Sequence, residues 1–165
     1  MSDLAIAALS GEHRVGDFDS GAPDLDDWLA RFALVAAASG TARTYVLADK
    51  GRVLGYYSLT PGAVNRADLP ERHAKGMPAH PIGVVVLARL AADRSRQGHG
   101  FGRALVADAA IRALQAADLI GARAMLVHAR DGSAAGFYQR LGFTRSPTDP
   151  LHLLVLIKDL RLTFG

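Results

Sequence analysis

The sequence predicts an α/β domain built on a mixed sheet, and three stretches carry that expectation. The apolar run Val84, Val85, Val86, Leu87, Ala88, broken by Arg89 and resumed by Leu90, Ala91 and Ala92, reads as a strand buried on both faces. A glycine-rich loop follows, then an Ala/Leu-rich helix over residues 103–118, then a second buried strand over 122–129. Strand, helix and strand at this spacing make a right-handed βαβ unit with parallel strands. Residues 41–48 and 52–59, separated by Asp49, Lys50 and Gly51, form a hairpin by composition and turn chemistry and add antiparallel pairing.

The remaining elements follow in order. Residues 4–9 give a weak strand, and 10–14 a polar turn. Asp24 is placed to cap a helix whose apolar positions Leu25, Trp28, Leu29, Phe32 and Ala36 recur at helical spacing, with Asp26 and Asp27 in its first turn and Gly40 at its end. At that spacing Trp28 and Phe32 are expected in the core rather than on an aromatic binding surface. Residues 61–81, punctuated by Pro61, Pro70, Pro78 and Pro81, read as a long surface loop with one short helix. In the helix over 103–118, Leu105, Ala109, Ala113 and Ala117 face inward, and Asp108 pairs with Arg112 on the opposite face. A short helix over 131–141 ends at Gly142, 151–157 supplies a last strand, and the segment from Lys158 on extends it or frays.

Length and composition set outer bounds. A chain of 165 residues buries roughly 70 % of the surface its unfolded form exposes, enough for one good core. No linker, repeat or low-complexity tract divides it, so a single domain over residues 1–165 is expected. No apolar run approaches the ~20 residues of a membrane span, and residues 1–9 lack the basic start and apolar core of a secretory signal. The absence of cysteine excludes a disulfide framework, a thiolate metal site and a cysteine nucleophile, and fits a cytoplasmic protein. A net charge of +3 tolerates an anionic partner without establishing one.

The loop between the first parallel strand and its helix runs Gln97, Gly98, His99, Gly100, Phe101, Gly102. Glycines let the backbone turn tightly and approach a ligand, and a helix beginning there aims unpaired N–H groups and its positive dipole end into the same space. The result is a cradle for a phosphate or pyrophosphate. A dinucleotide fingerprint counted from Gly98 would need glycine where Arg103 stands, and a P-loop would need Gly-Lys-Ser/Thr, which is absent. What remains is Q-x-x-G-x-G, carried by Gln97, Gly100 and Gly102.

In this strand-loop-helix setting the motif resembles the pyrophosphate loop of the GNAT superfamily of acyl-CoA-dependent N-acetyltransferases. A second stretch resembles the other hallmark of that family, A-x-x-F-Y-x-x-x-G-F, with Ala134, Phe137, Tyr138, Gly142 and Phe143 in place. The resemblance implies the GNAT fold, a central mixed, mostly antiparallel sheet whose parallel pair splays at the acetyl-CoA site, flanked by helices. It implies acetyl-CoA as co-substrate, no metal, and contacts from Leu90, Ala91, Ala92, Gln97, Gly98, His99, Gly100, Phe101, Gly102 and Asp131. Tyr138 becomes the expected general acid for the departing thiolate, since a phenol is protonated at neutral pH. Gln97 replaces the commoner arginine and Asp131 a frequent asparagine. No general base stands out: Glu12 and Glu71, the two glutamates, sit on no recognisable catalytic element, and His128 is expected in the core or behind the site. Without a base, an α-amine with pKa near 8 is favoured over a lysine amine near 10.4.

The N-terminal half narrows the resemblance. Phe18 and Gly21 before Leu25, Asp26, Trp28 and Leu29, then Ala42 to Val46, Gly55 to Leu59 and Leu87 to Ala91, look like the GNAT toxins of type II toxin-antitoxin modules. These acetylate the α-amine of aminoacyl-tRNA, block translation and are held inactive by a ribbon-helix-helix antitoxin, whose complex binds DNA and represses its own promoter. The resemblance makes Arg43, Arg72, Lys75 and Arg89 candidate contacts to the tRNA backbone, with a steep salt dependence. It leaves room for a homodimer and gives no role to a membrane. Two other readings stay open from the residues: an acetyltransferase of a small amine or protein N-terminus, and a non-catalytic acyl-CoA-binding module.

Overall fold

The computed structural model describes residues 4–165; Met1, Ser2 and Asp3, the start of the segment read for a signal, lie outside them. In chain order the elements are β1 (Ala5–Ala8), α1 (Pro23–Arg31), α2 (Ala33–Ser39), β2 (Arg43–Asp49), β3 (Arg52–Val64), α3 (Glu71–Ala74), β4 (Ile82–Ala92), α4 (Phe101–Ile120), β5 (Ala124–His128), α5 (Gly132–Arg140), β6 (Thr144–Arg145), β7 (His152–Leu156) and α6 (Ile157–Phe164). The strands form a seven-stranded sheet in the order β1-β2-β3-β4-β5-β7-β6. The β4–β5 pair is parallel, whereas β1–β2, β2–β3, β5–β7 and β6–β7 are antiparallel. This is the mixed sheet expected from the hairpin and the βαβ unit. The parallel ladder runs from Val84↔Ala124 to Leu87↔Val127, while β4 continues to Ala92.

The chain divides into two compact units, one made of residues up to Thr60 with Ala88–Ala109 and one made of Pro61–Leu87 with Ala110–Gly165. The first is organised around a core of Phe18, Leu29, Ala33, Val46, Val53, Tyr56 and Ala91. Trp28 stacks on Tyr56 at 6.2 Å, and Phe18 meets the same ring edge-on at 5.7 Å. The β2–β3 hairpin closes at Asp49↔Arg52 through Lys50 (φ 51°) and Gly51 (φ 85°), the two left-handed residues of a type I′ turn.

Here the helix expected from Leu25 to Ala36 is two helices. Phe32 has φ −118° and ψ −23°, so the backbone turns out of the helix there and starts again at Ala33. The ring of Phe32 is consequently 46 % exposed, against the expected core position, and Arg31 lies over it at 5.3 Å. Asp24 is not the cap either: Ala22 holds that position, Pro23 opens the helix, and no side chain caps it. Asp26 instead accepts the amide (3.1 Å) and hydroxyl (2.6 Å) of Ser20. Gly40 ends the second helix in the left-handed conformation, as expected. Asp108, expected on a solvent face, accepts a hydrogen bond from the Tyr57 hydroxyl.

In the second unit, β3 runs on to Val64, so the expected loop begins only there. It is ordered by Asp68, whose carbonyl accepts the Ser146 hydroxyl (2.6 Å) and whose carboxylate accepts the Thr148 hydroxyl (2.7 Å) and the Asn65 amide (2.8 Å). A 3₁₀ turn at Arg66–Asp68 and the one-turn α3 take up the rest. The short strand β6 was not expected, and the C-terminal segment from Lys158 is helical rather than extended or frayed. No helix among the described residues is long and apolar enough to cross a membrane.

Gly62 marks a close approach of two strands. A Cβ there would lie 2.6 Å from Cγ2 of Val86, a branched side chain that is only 4 % exposed and has nowhere to move. Gly62→Ala is expected to cost about 1–3 kcal/mol through overpacking. Denaturant unfolding measures it, and an unchanged midpoint would show that β3 and β4 separate more easily than this packing implies.

Candidate active site

In the first unit the glycine loop expected to cradle an anion starts where β4 ends. Asp93 is buried, and its carboxylate accepts the amide of Asp19 (2.9 Å), the amide of Ser95 (3.1 Å) and the Ser95 hydroxyl (2.7 Å). Burial alone pushes this carboxyl upward, but the hydrogen bonds from Ser95 and Asp19, with Arg52 nearby, outweigh it and hold the pKa below the usual carboxylate value. A 3₁₀ turn, Arg94–Arg96, follows. The Gln97 side-chain amide then donates to the carbonyls of Ser20 (2.8 Å) and Ala92 (3.0 Å), so it braces the loop from within.

With that brace in place, Gly98 (φ 80°) and Gly100 (φ 82°) occupy the left-handed region, which other residues adopt only at a cost. Nothing lies within 4 Å of a Cβ built on either, so the glycines serve backbone conformation rather than tight packing, and the space before them is open. Helix α4 starts at Phe101, two residues earlier than the sequence indicated, which places Gly102 inside its first turn. The amides of Phe101 and Gly102 therefore have no intrahelical acceptor and point outward with the positive end of the helix dipole. Of the expected strand contacts, Ala91 is turned into the core, whereas Leu90 and Ala92 are half-buried. His99 is exposed, with Nδ1 3.1 Å from the Gln97 carbonyl.

The second unit carries the other hallmark. Asp131 is the N-cap of α5, its Oδ1 accepting the Ala134 amide at 2.9 Å. Tyr138, two turns along, is 5 % exposed and held edge-on between Phe137 (5.2 Å) and Phe143 (5.9 Å). Its hydroxyl has no hydrogen-bond partner among the described residues, yet it is not one of the sealed unpartnered atoms, which are His73 Nδ1 and Arg96 Nε. Burial pushes the phenol pKa above its ordinary value. The geometry thus fixes the ring and leaves a protonated O–H uncommitted.

Among the candidate RNA contacts, Arg43 and Arg89 belong to the first unit and Arg72 and Lys75 to the second. Arg43 donates to the carbonyl of Ala37 (3.4 Å), Arg89 stacks over Trp28 at 4.1 Å, and Arg72 donates to the Thr144 hydroxyl (3.0 Å). His128 departs from the core expectation: it is exposed at the end of β5 and stacks on His152 at 4.3 Å. Partial loss of water, then His152, lowers its pKa. Asp93, Asp19 and Ser20, which hold the loop, escaped the sequence reading because they act across long separations. No cluster of three or more His, Asp or Glu suited to a metal occurs among the described residues.

A GNAT acetyltransferase domain model matches residues 40–145, and by that match together with the fold the chain belongs to the GNAT acetyltransferase family. Within it, a "tRNA-acetylating toxin" of Mycobacterium tuberculosis is 47% identical over 157 residues, 95% of this chain and 94% of that protein. Among solved structures, AtaT complexed with acetyl-methionyl-tRNAfMet superposes with a TM-score of 0.92 at 32% identity, covering 99% of this chain and 100% of that one. A tyrosine-to-phenylalanine mutant of AtaT bound to the C-terminus of the antitoxin AtaR and acetyl-CoA gives 0.85 at 30%, covering 99% of each chain.

The loop geometry makes a direct prediction. Asp93→Asn is expected to lose about 1–3 kcal/mol at neutral pH, because an amide cannot replace a charged acceptor of three donors. A carboxylate with lowered folded pKa stabilises the fold above its unfolded pKa of ~3.9 and loses that contribution as pH falls. The gap between wild type and variant therefore narrows on acidification, as read by thermal unfolding from pH 7 to 3; a gap that is constant with pH would detach Asp93 from the loop.

Proposed function

We propose that this protein is a toxin that transfers the acetyl group of acetyl-CoA to the α-amine of aminoacyl-tRNA, so that the charged tRNA no longer serves translation. The whole-length likeness to the mycobacterial tRNA-acetylating toxin supports the substrate, and the tRNA- and acetyl-CoA-bound AtaT structures support the two ligands. In this reading the amides of Gly98, His99, Gly100, Phe101 and Gly102, with the loop braced by Gln97, hold the pyrophosphate of the coenzyme. Backbone groups of Leu90, Ala91 and Ala92 hold the thioester and its developing oxyanion. Asp131 presents its second carboxylate oxygen to the pantetheine arm while the first caps α5.

The amine attacks the acetyl carbonyl carbon, the C–S bond breaks, and Tyr138 passes its hydroxyl proton to the departing sulfur. Solvent takes the proton released by the new amide and restores the phenol. The observation that carries the acid role is the Tyr138 hydroxyl itself, fixed by a buried ring and bonded to nothing among the described residues. Arg43, Arg72, Lys75 and Arg89 contact the tRNA. A ribbon-helix-helix antitoxin neutralises the enzyme, DNA is reached only through that complex, and the site of action is the cytoplasm.

Incubating the protein with labelled acetyl-CoA and a pool of charged tRNAs tests the substrate directly. N-acetylated aminoacyl-tRNA is expected, and transfer only to free amines would overturn the reading. Tyr138→Phe is expected to cut turnover by about 10²-fold while leaving the Kd for acetyl-CoA nearly unchanged. Because the phenol pKa is raised, the acid form persists, so kcat/KM should rise with pH through the amine's titration near 8 without falling before ~10. A decline beginning below pH 9 would assign the acid to another group.

A further inference from the structure

A cationic feature lies wholly within the second unit. A cleft of about 560 Å³ is lined by Arg72, His73, Lys75, Arg123, Lys158 and Arg161, with apolar floor residues including Leu156 and Ile157. A smaller hollow of about 290 Å³ adjoins it, sharing Arg72, His73, Leu156 and Lys158. Joined through the residues they share, the two make one basic groove with more room than a single small anion needs.

The charges in this groove are largely uncompensated. Arg161 pairs with Asp118 at 2.9 Å, and Arg72 donates to Thr144. Lys75, Arg123 and Lys158 are exposed and have no carboxylate partner among the described residues; Asp159 is the one acid in the lining. The groove also contains an unsatisfied polar group. His73 is 6 % exposed, and its Nδ1 has no partner among the described residues. Desolvation first, then Arg72, hold its pKa low, so it adds polarity without adding charge. Like charges held together without counter-ions raise the free energy of the empty groove, and a polyanion relieves it.

We infer that this groove holds a run of tRNA phosphate backbone, as a docking surface separate from the acetyl-transfer chemistry. The inference rests on the reading of charged tRNA as substrate, which supplies a polyanion long enough to occupy the whole groove. Its new element is Arg123, Lys158 and Arg161, on the segment before β5 and on α6, joining Arg72 and Lys75.

The test measures binding of fluorescently labelled tRNA across a salt series for wild type, for the double variant Arg123→Gln/Lys158→Gln, and for Arg31→Gln, an exposed arginine of the first unit that pairs with Asp27. Acetyl-CoA affinity checks that each variant is folded. The double variant should bind about tenfold more weakly near physiological salt, with the slope of log affinity against log salt reduced by roughly 1.5–2, as expected for two lost phosphate contacts. Arg31→Gln should change neither. A double variant indistinguishable from Arg31→Gln would overturn the groove. If wild type acetylates charged tRNA and the slope is unmoved, the groove alone fails; if the slope moves but no acetyl transfer occurs, the proposed function fails and the groove stands.

Discussion

The carboxylate of Asp93 receives the amide of Asp19 and both donors of Ser95, tying the end of β4 to a segment 74 positions earlier in the chain. Much else in the first unit follows from that tie. Arg94 bonds back to Asp19, and Gln97 reaches the Ser20 carbonyl. With both ends of the turn held, Gly98 and Gly100 are left to take the left-handed conformation and deliver the chain into α4 with its first amides unspent. A loop of this composition without such bracing would sample many conformations and lose ordering entropy on binding an anion.

The two hallmarks solve different physical problems with the same economy. In the first unit, polar side chains are consumed internally so that backbone amides are free. In the second, apolar rings fix a phenol so that its hydroxyl is free: Phe137 and Phe143 both make T-shaped contacts with Tyr138, and Asp131 caps the helix that carries it. Packing raises the phenol pKa, so the hydroxyl stays protonated through the neutral range, as the acid role proposed for it requires.

Several parts of this were legible in the sequence because their signals are local. The apolar run that becomes β4, the Asp49-Lys50-Gly51 turn, the glycine loop and the Phe137–Tyr138 helix each depend on neighbours within a few residues. The failures are tertiary. Phe32 continues a helical apolar pattern, yet the chain bends there and leaves its ring exposed while Ala33 takes the core position. The bracing partners of Gln97, the carbonyls of Ser20 and Ala92, were likewise out of reach of the sequence, because they come together only in three dimensions. His128 lies on a buried strand by periodicity, but the last residue of β5 emerges beside His152. The two-residue β6 is too short to have a period, and the ordering of residues 65–70 depends on Ser146 and Thr148 far along the chain.

Membership in the GNAT acetyltransferase family makes acyl transfer the chemistry of this chain, and in the function proposed for it the braced loop holds the coenzyme. The most direct measurement of that claim is a crystal structure with coenzyme A bound. Pyrophosphate oxygens are expected about 2.8–3.1 Å from the amides between Gly98 and Gly102, with the Gln97 side chain still on the carbonyls of Ser20 and Ala92. A pyrophosphate held by side chains elsewhere, or a loop rebuilt around the ligand with the Asp93 contacts broken, would contradict it.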